Sequence, residues 1–276
     1  MAKVTVTIVI PTLNSQTTLP KLLESIRLQT YQNIEVVIVD GGSFDETETI
    51  ASKSKCTFVP THEKRSSARY LGARMAKGKF LLFVDSDQYM HKDVVADCLE
   101  TAERSKSLIV KIPEEDVGEG FWFRCRRLER KLAQVEDLSY PRFFSKETYF
   151  EIGGHNTGIE NYMEDRDLYL RCIDAGHTWS WIERPIFNQC GKWNPVEQAI
   201  KSSRAASDAD YFYVLNYGRE RVLDVVKPRI KQFFSSKELL HESLSVALFI
   251  PFYSLVIYGP RFLRAVLGRL RAFSLK

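Results

Sequence analysis

Hydrophobic and polar positions follow two alternating periods along the first third of the chain. Short apolar runs bounded by turn residues predict buried strands, and apolar residues at helical spacing lie between them. Leu19, Leu22, Leu23 and Ile26 recur in this way behind Ser15–Thr18, which offer helix caps. The pattern predicts strands over Val4–Ile10, Ile34–Asp40, Cys56–Pro60 and from Phe80, and further helices over Glu46–Ser52 and Ser67–Ala76.

This alternation of strands and helices predicts an α/β fold with a Rossmann-like, mostly parallel sheet. In such a sheet the ligand site lies beyond the carboxyl ends of the strands. Three polar segments fall at those ends: Pro11–Asn14, Asp40–Ser43 and Asp85–Asp87. We therefore expect a nucleotide to bind at this edge of the sheet.

The third of these segments suggests the chemistry. The apolar run Phe80–Val84 ends in Asp85-Ser86-Asp87, which places two carboxylates one residue apart. Hard oxygen ligands on a rigid strand suit a divalent cation held against a diphosphate. Strands also end in Asp for reasons of turn geometry, so the motif alone leaves both interpretations open.

Composition sets the outer limits. The 276 residues, 44% of them hydrophobic, suffice for one large α/β domain and an appendage. The five cysteines are scattered without metal-ligand spacing, which predicts reduced thiols and no zinc site. The beginning of the chain has no secretory signal pattern, so we expect the catalytic part in the cytoplasm. The net charge is only +4, and base-stacking aromatic residues are not interleaved with the basic ones, which argues against a nucleic-acid partner.

The last third of the chain has a different composition. Aromatic and aliphatic residues alternate with Lys and Arg over Tyr211–Phe234, which is typical of helices in a membrane interface. A helix pair packed on the catalytic domain would show the same stripe. Leu244–Tyr258 is almost uninterrupted apolar sequence with basic residues on both sides, so a membrane crossing and a shallow hairpin both remain open. We predict three parts: a catalytic domain over 1–194, amphipathic interfacial helices over 195–237 and a membrane-embedded tail over 238–276.

Four segments in a fixed order carry a family resemblance. Thr7–Asn14, Val36–Ser43, Asp85–Asp87 and Glu164–Leu168 together resemble the family 2 glycosyltransferases. That family has the GT-A fold and transfers a sugar from a nucleotide-diphosphate donor to an acceptor. The resemblance covers roughly the first two thirds of the chain. It implies an enzyme that binds a nucleotide sugar and Mn²⁺ or Mg²⁺.

The resemblance assigns roles on the donor side. It implies that Pro11 and Thr12 line the base and ribose pocket, with Asn14 in the same segment, and that Asp40 accepts a hydrogen bond from the base. Gly41 stands where the family often has a second Asp. The alternative for Gly41–Ser43 is a strand-to-helix turn, in which glycine supplies a positive φ and Ser a helix cap.

The resemblance also places charged groups around the diphosphate. Asp87 is expected to bind the metal directly, and Asp85 to lie nearer the ribose or the waters of the ion. Arg65 or Arg69 would reach a phosphate; the alternative is an exposed helix face. Gln189-Cys190-Gly191-Lys192-Trp193 resembles the Gln-x-x-Arg-Trp signature of the cellulose-synthase-like branch, so Lys192 is expected at the diphosphate. Lys lacks the planar fork with which Arg grips phosphate.

On the acceptor side the resemblance makes Asp165 the catalytic base. Glu164, His155 and Trp193 are expected to contact the acceptor. The alternatives are that Glu164 and Asp165 only complement a helix dipole, that His155 is structural, and that Lys192 is an exposed cation beside a packed Trp.

These assignments predict an inverting, metal-dependent glycosyltransferase on the cytoplasmic face of the cell membrane. The expected donor is GDP-mannose first and UDP-glucose second, and the expected acceptor is a polyprenyl- or dolichyl-linked sugar in glycan or N-glycan assembly. Two alternatives remain from the sequence: a non-catalytic membrane scaffold that binds a nucleotide sugar, and a nucleotidyltransferase.

Overall fold

The structure, a computed structural model, describes residues 5–105, 107–133, 140–159, 164–192, 194–197 and 200, with the backbone alone for 129–133 and 192. The strands are β1 Val6–Thr12, β2 Ile34–Asp40, β3 Thr57–Pro60, β4 Phe80–Phe83, β5 Gln88–Met90, β6 Ile109–Lys111, β7 Glu114–Glu119, β8 Pro141–Ser145, β9 Ser180–Trp181 and β10 Ile186–Lys192. The helices are α1 Leu19–Arg27, α2 Thr47–Ser52, α3 Arg65–Met75, α4 Val94–Ser105, α5 Phe121–Ala133, α6 Lys146–Glu151 and α7 Glu164–Asp174.

Seven strands form the central sheet in the order β3-β2-β1-β4-β8-β6-β9. The four strands β3, β2, β1 and β4 run parallel to one another, and β9 runs parallel to β6. Strand β8 is antiparallel to both of its neighbours. The predicted α/β fold with a mostly parallel sheet is confirmed.

The observed strands and helices lie close to the predicted ranges, and the end of β1 is a boundary that differs. Strand β2 has the predicted bounds, whereas β1 continues past the predicted end at Ile10 and includes Pro11. Proline lacks the N–H that a central strand needs for pairing on one of its sides. Pairing of β1 with β4 ends at Val9, so Pro11 has only β2 as a neighbour. The strand therefore accommodates it.

Apolar side chains cover both faces of the sheet. One cluster contains Ile8, Ile38 and Leu22, and a second contains Val9 and Leu81. Helix α3 approaches the second face very closely, since a Cβ atom added to Gly72 would lie 2.5 Å from Cγ1 of Val9. Arg69, one turn earlier on α3, is consequently buried too. The second cluster continues through Ala73, Ala76, Phe83, Ile109, Phe144, Tyr149, Ile152, Leu168 and Cys172.

The chain divides into two compact units. The first comprises 1–117, 140–160 and 164–189, and it contains the whole seven-stranded sheet. The second comprises 118–139, 161–163 and 190–276; in its described part, α5 buries Phe123, Cys125 and Leu128. Strands β7 and β10 continue from the first unit into the second and belong to a smaller sheet of order β5-β10-β7.

The predicted interfacial and membrane-embedded helices lie outside the described residues almost entirely, because the description ends at residue 200. Within the described ranges, each helix is too short or too polar to cross a bilayer. The division at residues 194 and 237 stays a prediction.

Candidate active site

The carboxyl ends of β1 and β2 meet at one edge of the parallel sheet. Thr12 and Asp40 are register partners there, and the Thr12 hydroxyl donates to Oδ1 of Asp40 over 2.7 Å. Pro11, Thr12 and Asp40 are buried, whereas Asn14 is exposed in the loop that follows β1. The structure thus brings the four residues predicted at the base and ribose to the same edge.

The Asp40 carboxylate organises the loop that follows β2. Its Oδ1 also accepts from the Ser43 hydroxyl at 2.6 Å, and its Oδ2 accepts from the backbone N–H groups of Gly42 at 3.1 Å and Ser43 at 2.8 Å. Gly42 has φ of 92°, as the turn interpretation expects. A contact between Asp40 and a base would have to share oxygens that already accept these bonds.

The helix cap that the turn alternative assigned to Ser43 does not form. Its hydroxyl donates to Asp40 and accepts from the backbone N–H of Asn14 at 2.7 Å. Asp45 serves the helix instead, because its Oδ1 accepts from the N–H of Thr47, the first residue of α2, at 3.0 Å. Asn14, in the left-handed region at φ 51°, accepts from the N–H of Phe44. Side chains therefore tie the two loops together.

Asp85 follows β4 at the same edge and faces two guanidinium groups. Its Oδ1 lies 2.5 Å from Nη2 of Arg69, and its Oδ2 lies 3.4 Å from Nη2 of Arg142. Burial acts to raise the pKa of Asp85, but the positive charges of Arg69 and Arg142 outweigh it and hold that pKa well below its usual range. Asp85 is therefore an anionic part of an ion-pair network.

Asp87, by contrast, projects an exposed carboxylate. No other described residue donates a hydrogen bond to this side chain, although its backbone oxygen accepts from the N–H of Gln189 at 2.8 Å. Loss of hydration and the charge of Asp85 raise its pKa. A neighbouring cation would relieve this unfavourable field.

These observations test whether the site suits a metal ion. Within the described ranges, no three His, Cys, Asp or Glu side chains gather as a metal site. Mg²⁺ and Mn²⁺ sites of nucleotide enzymes need only one or two carboxylates, because substrate phosphates supply further oxygen ligands. The available carboxylate of Asp87 fits that requirement better than Asp85, both of whose oxygens already face arginines.

Arg69 is the centre of the network. Its side chain is 1% exposed, and its Nη1 donates to Oε1 of Glu164 and to Oδ1 of Asp165, both at 3.0 Å. Its Nη2 contacts Asp85, so one planar group links the end of β4 to the first turn of α7. Asp85 and Asp165, which lie 80 residues apart in the sequence, are thus held by a single side chain.

Glu164 and Arg65 take structural positions in this network. The Glu164 side chain is 1% exposed, and its Oε1 accepts from Nε of Arg65 at 2.6 Å as well as from Arg69. Its Oε2 is buried and has no hydrogen-bond partner in the part of the chain that the structure describes. A contact of Glu164 with the acceptor, or of Arg65 with a phosphate, stays a prediction.

Asp165 is the most accessible carboxylate on the first turn of α7. Its side chain is 28% exposed, and the described partners, Arg69 and Nε2 of His155 at 3.5 Å, both approach Oδ1. Burial opposes ionisation, but Arg69 and the hydrogen bond from His155 lower the pKa of Asp165 far below its usual range. Oδ2 is the oxygen left for a substrate among the described contacts.

His155 lies beneath Asp165 with a side chain only 1% exposed. Its ring packs edge to face on Phe83 and is hydrogen-bonded to Tyr149. This position suits a contact with Asp165, and the predicted direct contact with the acceptor remains untested.

The Gln-x-x-Lys-Trp segment is described only in part. Gln189 Nε2 donates to the backbone oxygens of Thr18 at 3.2 Å and Gln88 at 3.4 Å, which anchors β10 near Asp87. The side chain of Lys192 and the whole of Trp193 lie outside the described residues, so their predicted roles stay predictions.

Sequence reasoning missed Arg142 and Tyr149. Arg142 donates to Glu114 at 2.7 Å and faces Asp85, and it lies beside Phe143 in the buried strand β8. A charged residue inside a buried strand is costly unless it is paired, and that pattern was the available signal. Nothing in the local sequence distinguishes Tyr149 from other buried aromatic residues.

Comparison with known proteins agrees with this geometry. The model of the family described as "Glycosyl transferase family 2" matches residues 7–191. The Bacillus subtilis protein EpsH is 32% identical over 251 residues, which cover 86% of this chain and 67% of EpsH. The chain spans 61% of the length of another relative, an uncharacterized glycosyltransferase of Haemophilus influenzae.

Solved structures share the fold. The mannosyltransferase PcManGT of Pyrobaculum calidifontis, in complex with GDP-Man and Mn²⁺, has a TM-score of 0.60 at 16% identity and covers 98% of this chain and 80% of its own. Staphylococcus aureus TarS 1–349 in complex with UDP has a TM-score of 0.56 at 20% identity, covering 97% and 82%. The family match and the related sequences lead to one conclusion: this chain belongs to glycosyltransferase family 2.

Proposed function

We propose that this glycosyltransferase is an inverting, metal-dependent enzyme that moves a hexose from a nucleotide-diphosphate sugar to a lipid-linked acceptor. One observation carries the proposal. The buried guanidinium of Arg69 contacts both Asp85 of the Asp-x-Asp motif and Asp165. A single guanidinium group therefore lies between the proposed diphosphate site and the proposed base.

The proposed chemistry is a single displacement. Oδ2 of Asp165 accepts the proton of the acceptor hydroxyl while the hydroxyl oxygen bonds to the anomeric carbon. The bond from that carbon to the donor phosphate oxygen breaks, and its electron pair leaves with the nucleoside diphosphate. Because attack and departure occur on opposite faces of the sugar, the configuration inverts. The low pKa of Asp165 keeps it ionised at neutral pH, so the base is ready before the acceptor arrives.

Asp87 is the residue that we propose to hold the metal. Five carboxylates of the site (Asp85, Asp87, Glu114, Glu164, Asp165) are opposed by the three guanidinium groups of Arg65, Arg69 and Arg142 among the described residues. Bound Mn²⁺ or Mg²⁺ would supply charge stabilisation for the departing diphosphate.

For the donor, we propose GDP-mannose first and UDP-glucose second. The GDP-Man complex of PcManGT and the UDP complex of TarS support testing both nucleotides. For the acceptor, we propose a polyprenyl- or dolichyl-linked sugar in glycan or N-glycan assembly. The apolar composition of Leu244–Tyr258 supports a lipid partner.

The first test is a donor panel. Full-length protein in detergent is incubated with Mn²⁺, labelled GDP-mannose, UDP-glucose or UDP-GlcNAc, and a lipid extract from its source cells. We expect label in the organic phase with one donor, and an at least tenfold loss on adding EDTA that excess Mn²⁺ restores. Transfer unaffected by EDTA would refute metal dependence. Transfer only into water-soluble products would refute the lipid acceptor.

Membrane attachment is tested separately. We expect the full-length protein to float with anionic liposomes and to stay bound in 1 M salt, because burial of apolar segments is not screened as charge attraction is. Release by salt would indicate that only the basic residues of the tail contact the membrane. Absence of flotation would favour the alternative, in which the tail helices pack on the catalytic domain.

A further inference from the structure

A chain of buried polar contacts leads to Asp165 from below. The hydroxyl of Tyr149 lies 2.8 Å from Nδ1 of His155, and it also accepts the backbone N–H of His155 at 2.9 Å. Nε2 of the same imidazole lies 3.5 Å from Oδ1 of Asp165. Three side chains are therefore connected in series within the aromatic cluster on one face of the sheet.

The positions of the protons follow from the donors available. A backbone N–H only donates, so the Tyr149 oxygen is the acceptor in its contact with the main chain of His155. Nε2 of His155 faces the ionised carboxylate of Asp165, which can only accept, so Nδ1 is the nitrogen left to accept the phenol proton. A neutral imidazole carries its proton on the other nitrogen, so Nε2–H of His155 faces the carboxylate. Burial lowers the pKa of His155 and raises that of Tyr149, which favours the neutral form of both groups.

The consequence for Asp165 is an asymmetric carboxylate. Arg69 at 3.0 Å and the Nε2–H of His155 approach the same oxygen, Oδ1. The distance of 3.5 Å is longer than the usual range of about 2.7–3.2 Å for an N–H···O hydrogen bond, and catalytic contacts of this kind commonly tighten when substrate fills a site. With Oδ1 held from two directions, the carboxylate plane is fixed and Oδ2 has a defined orientation.

Local sequence makes this arrangement possible. Gly154 has φ of 63°, and a Cβ atom there would lie 2.9 Å from the Tyr149 ring. The Gly153-Gly154 turn thus lets the phenol reach the main chain of His155. A phenyl ring at position 155 would satisfy the packing on Phe83 without the cost of burying an imidazole. The polar ring is explained by its contacts with Tyr149 and Asp165.

We propose that Tyr149 and His155 are positioning residues of the transferase: Tyr149 fixes the Nε2–H tautomer of His155, and His155 holds Oδ1 of Asp165 so that Oδ2 faces the acceptor hydroxyl. This inference rests on the proposed role of Asp165 as the base.

The tautomer is measured without any activity assay. Protein labelled with ¹⁵N in its five histidines is examined by long-range ¹H–¹⁵N NMR, and the His155 signals are assigned by their loss in His155→Gln. We expect a neutral Nε2–H tautomer at pH 7 and its replacement by a mixture of forms in Tyr149→Phe. An Nδ1–H tautomer or an imidazolium in the wild type would overturn the relay.

Kinetics then test positioning. A Gln side chain at position 155 keeps an N–H donor near the position of Nε2, whereas Phe keeps an aromatic ring without any donor. We expect His155→Phe to lower kcat about 10- to 100-fold with little change in the donor KM, and His155→Gln to recover most of that loss. Equal losses in both variants, when both retain the wild-type Tm, would refute the donor role.

A matched control separates hydroxyl loss from the relay. Tyr70→Phe removes a hydroxyl from a neighbouring ring outside the series and is expected to leave kcat within about twofold. Tyr149→Phe should lower kcat about tenfold or more. If Asp165→Asn retained full activity, the proposed base would be wrong, while the NMR result would still decide whether the relay exists.

Discussion

Replacement of Asp165 by Asn is expected to lower kcat for sugar transfer by roughly 10²- to 10⁴-fold, the usual contribution of a general base. Asn keeps the size of the side chain and an acceptor for Arg69, but it cannot take the proton of the acceptor hydroxyl. Because we propose that the metal and the donor diphosphate lie at Asp87, the donor KM should change little. Initial rates of label transfer and titration of the donor by calorimetry measure the two effects.

Asp174→Asn provides the matched control on the same helix. Asp174 is exposed at the end of α7, so its variant should keep kcat within about twofold. If Asp165→Asn transferred sugar at the wild-type rate, another group would have to be the base. If it lost donor binding instead, Asp165 would belong to the donor site.

Replacement of Arg69 by Met is expected to have the largest effect on folding. It removes the shared partner of Asp85, Glu164 and Asp165, so the buried negative charge of the site is less fully compensated. Loss of one partner from a buried ion pair typically costs about 3–5 kcal/mol. Urea denaturation at pH 7 measures the loss, and Arg74→Met, on the exposed face of the same helix, is the control expected to change stability by less than about 0.5 kcal/mol.

The pH dependence of that difference has a defined sign. In the wild type the folded-state pKa of Asp165 lies below its ordinary value of 3.8, so its stabilisation is complete above that value and is lost as the pH falls through the folded pKa. Without Arg69, burial raises the pKa of Asp165 instead. Protonation of Asp165 in mild acid then removes its buried charge and reduces the destabilisation of the variant. The stability difference between the two proteins should therefore shrink from pH 7 to pH 4.5. A difference that grew in acid would show that Arg69 does not act through these carboxylates.

The prediction of strands and helices was correct where it depended on the pattern of neighbouring residues. Apolar runs and helical spacing correctly indicated β2 and α1, because burial of one strand face or one helix stripe is written in consecutive residues. The carboxyl ends of parallel strands are adjacent by topology, so the grouping of Thr12, Asp40 and Asp85 followed from that pattern as well.

The same local reasoning could not say what each carboxylate contacts. Asp40 accepts hydrogen bonds from the loop that follows it, and Asp85 faces Arg69 and Arg142. In the sequence, both look like ligand-binding aspartates. Hydrogen-bond capacity is used up by whichever donors the fold brings within about 3 Å, and the sequence does not give those distances.

Periodicity and motif order, then, were enough for the α/β class, the sheet edge at which the polar segments meet and the family, since they depend on burial patterns and residue spacing along the chain. The buried network centred on Arg69 and the relay from Tyr149 through His155 join residues from separate helices, strands and loops. Packing of α3 and α7 against the sheet decides those contacts, because a buried charge or imidazole is stabilised only by the particular partners that lie within hydrogen-bond distance.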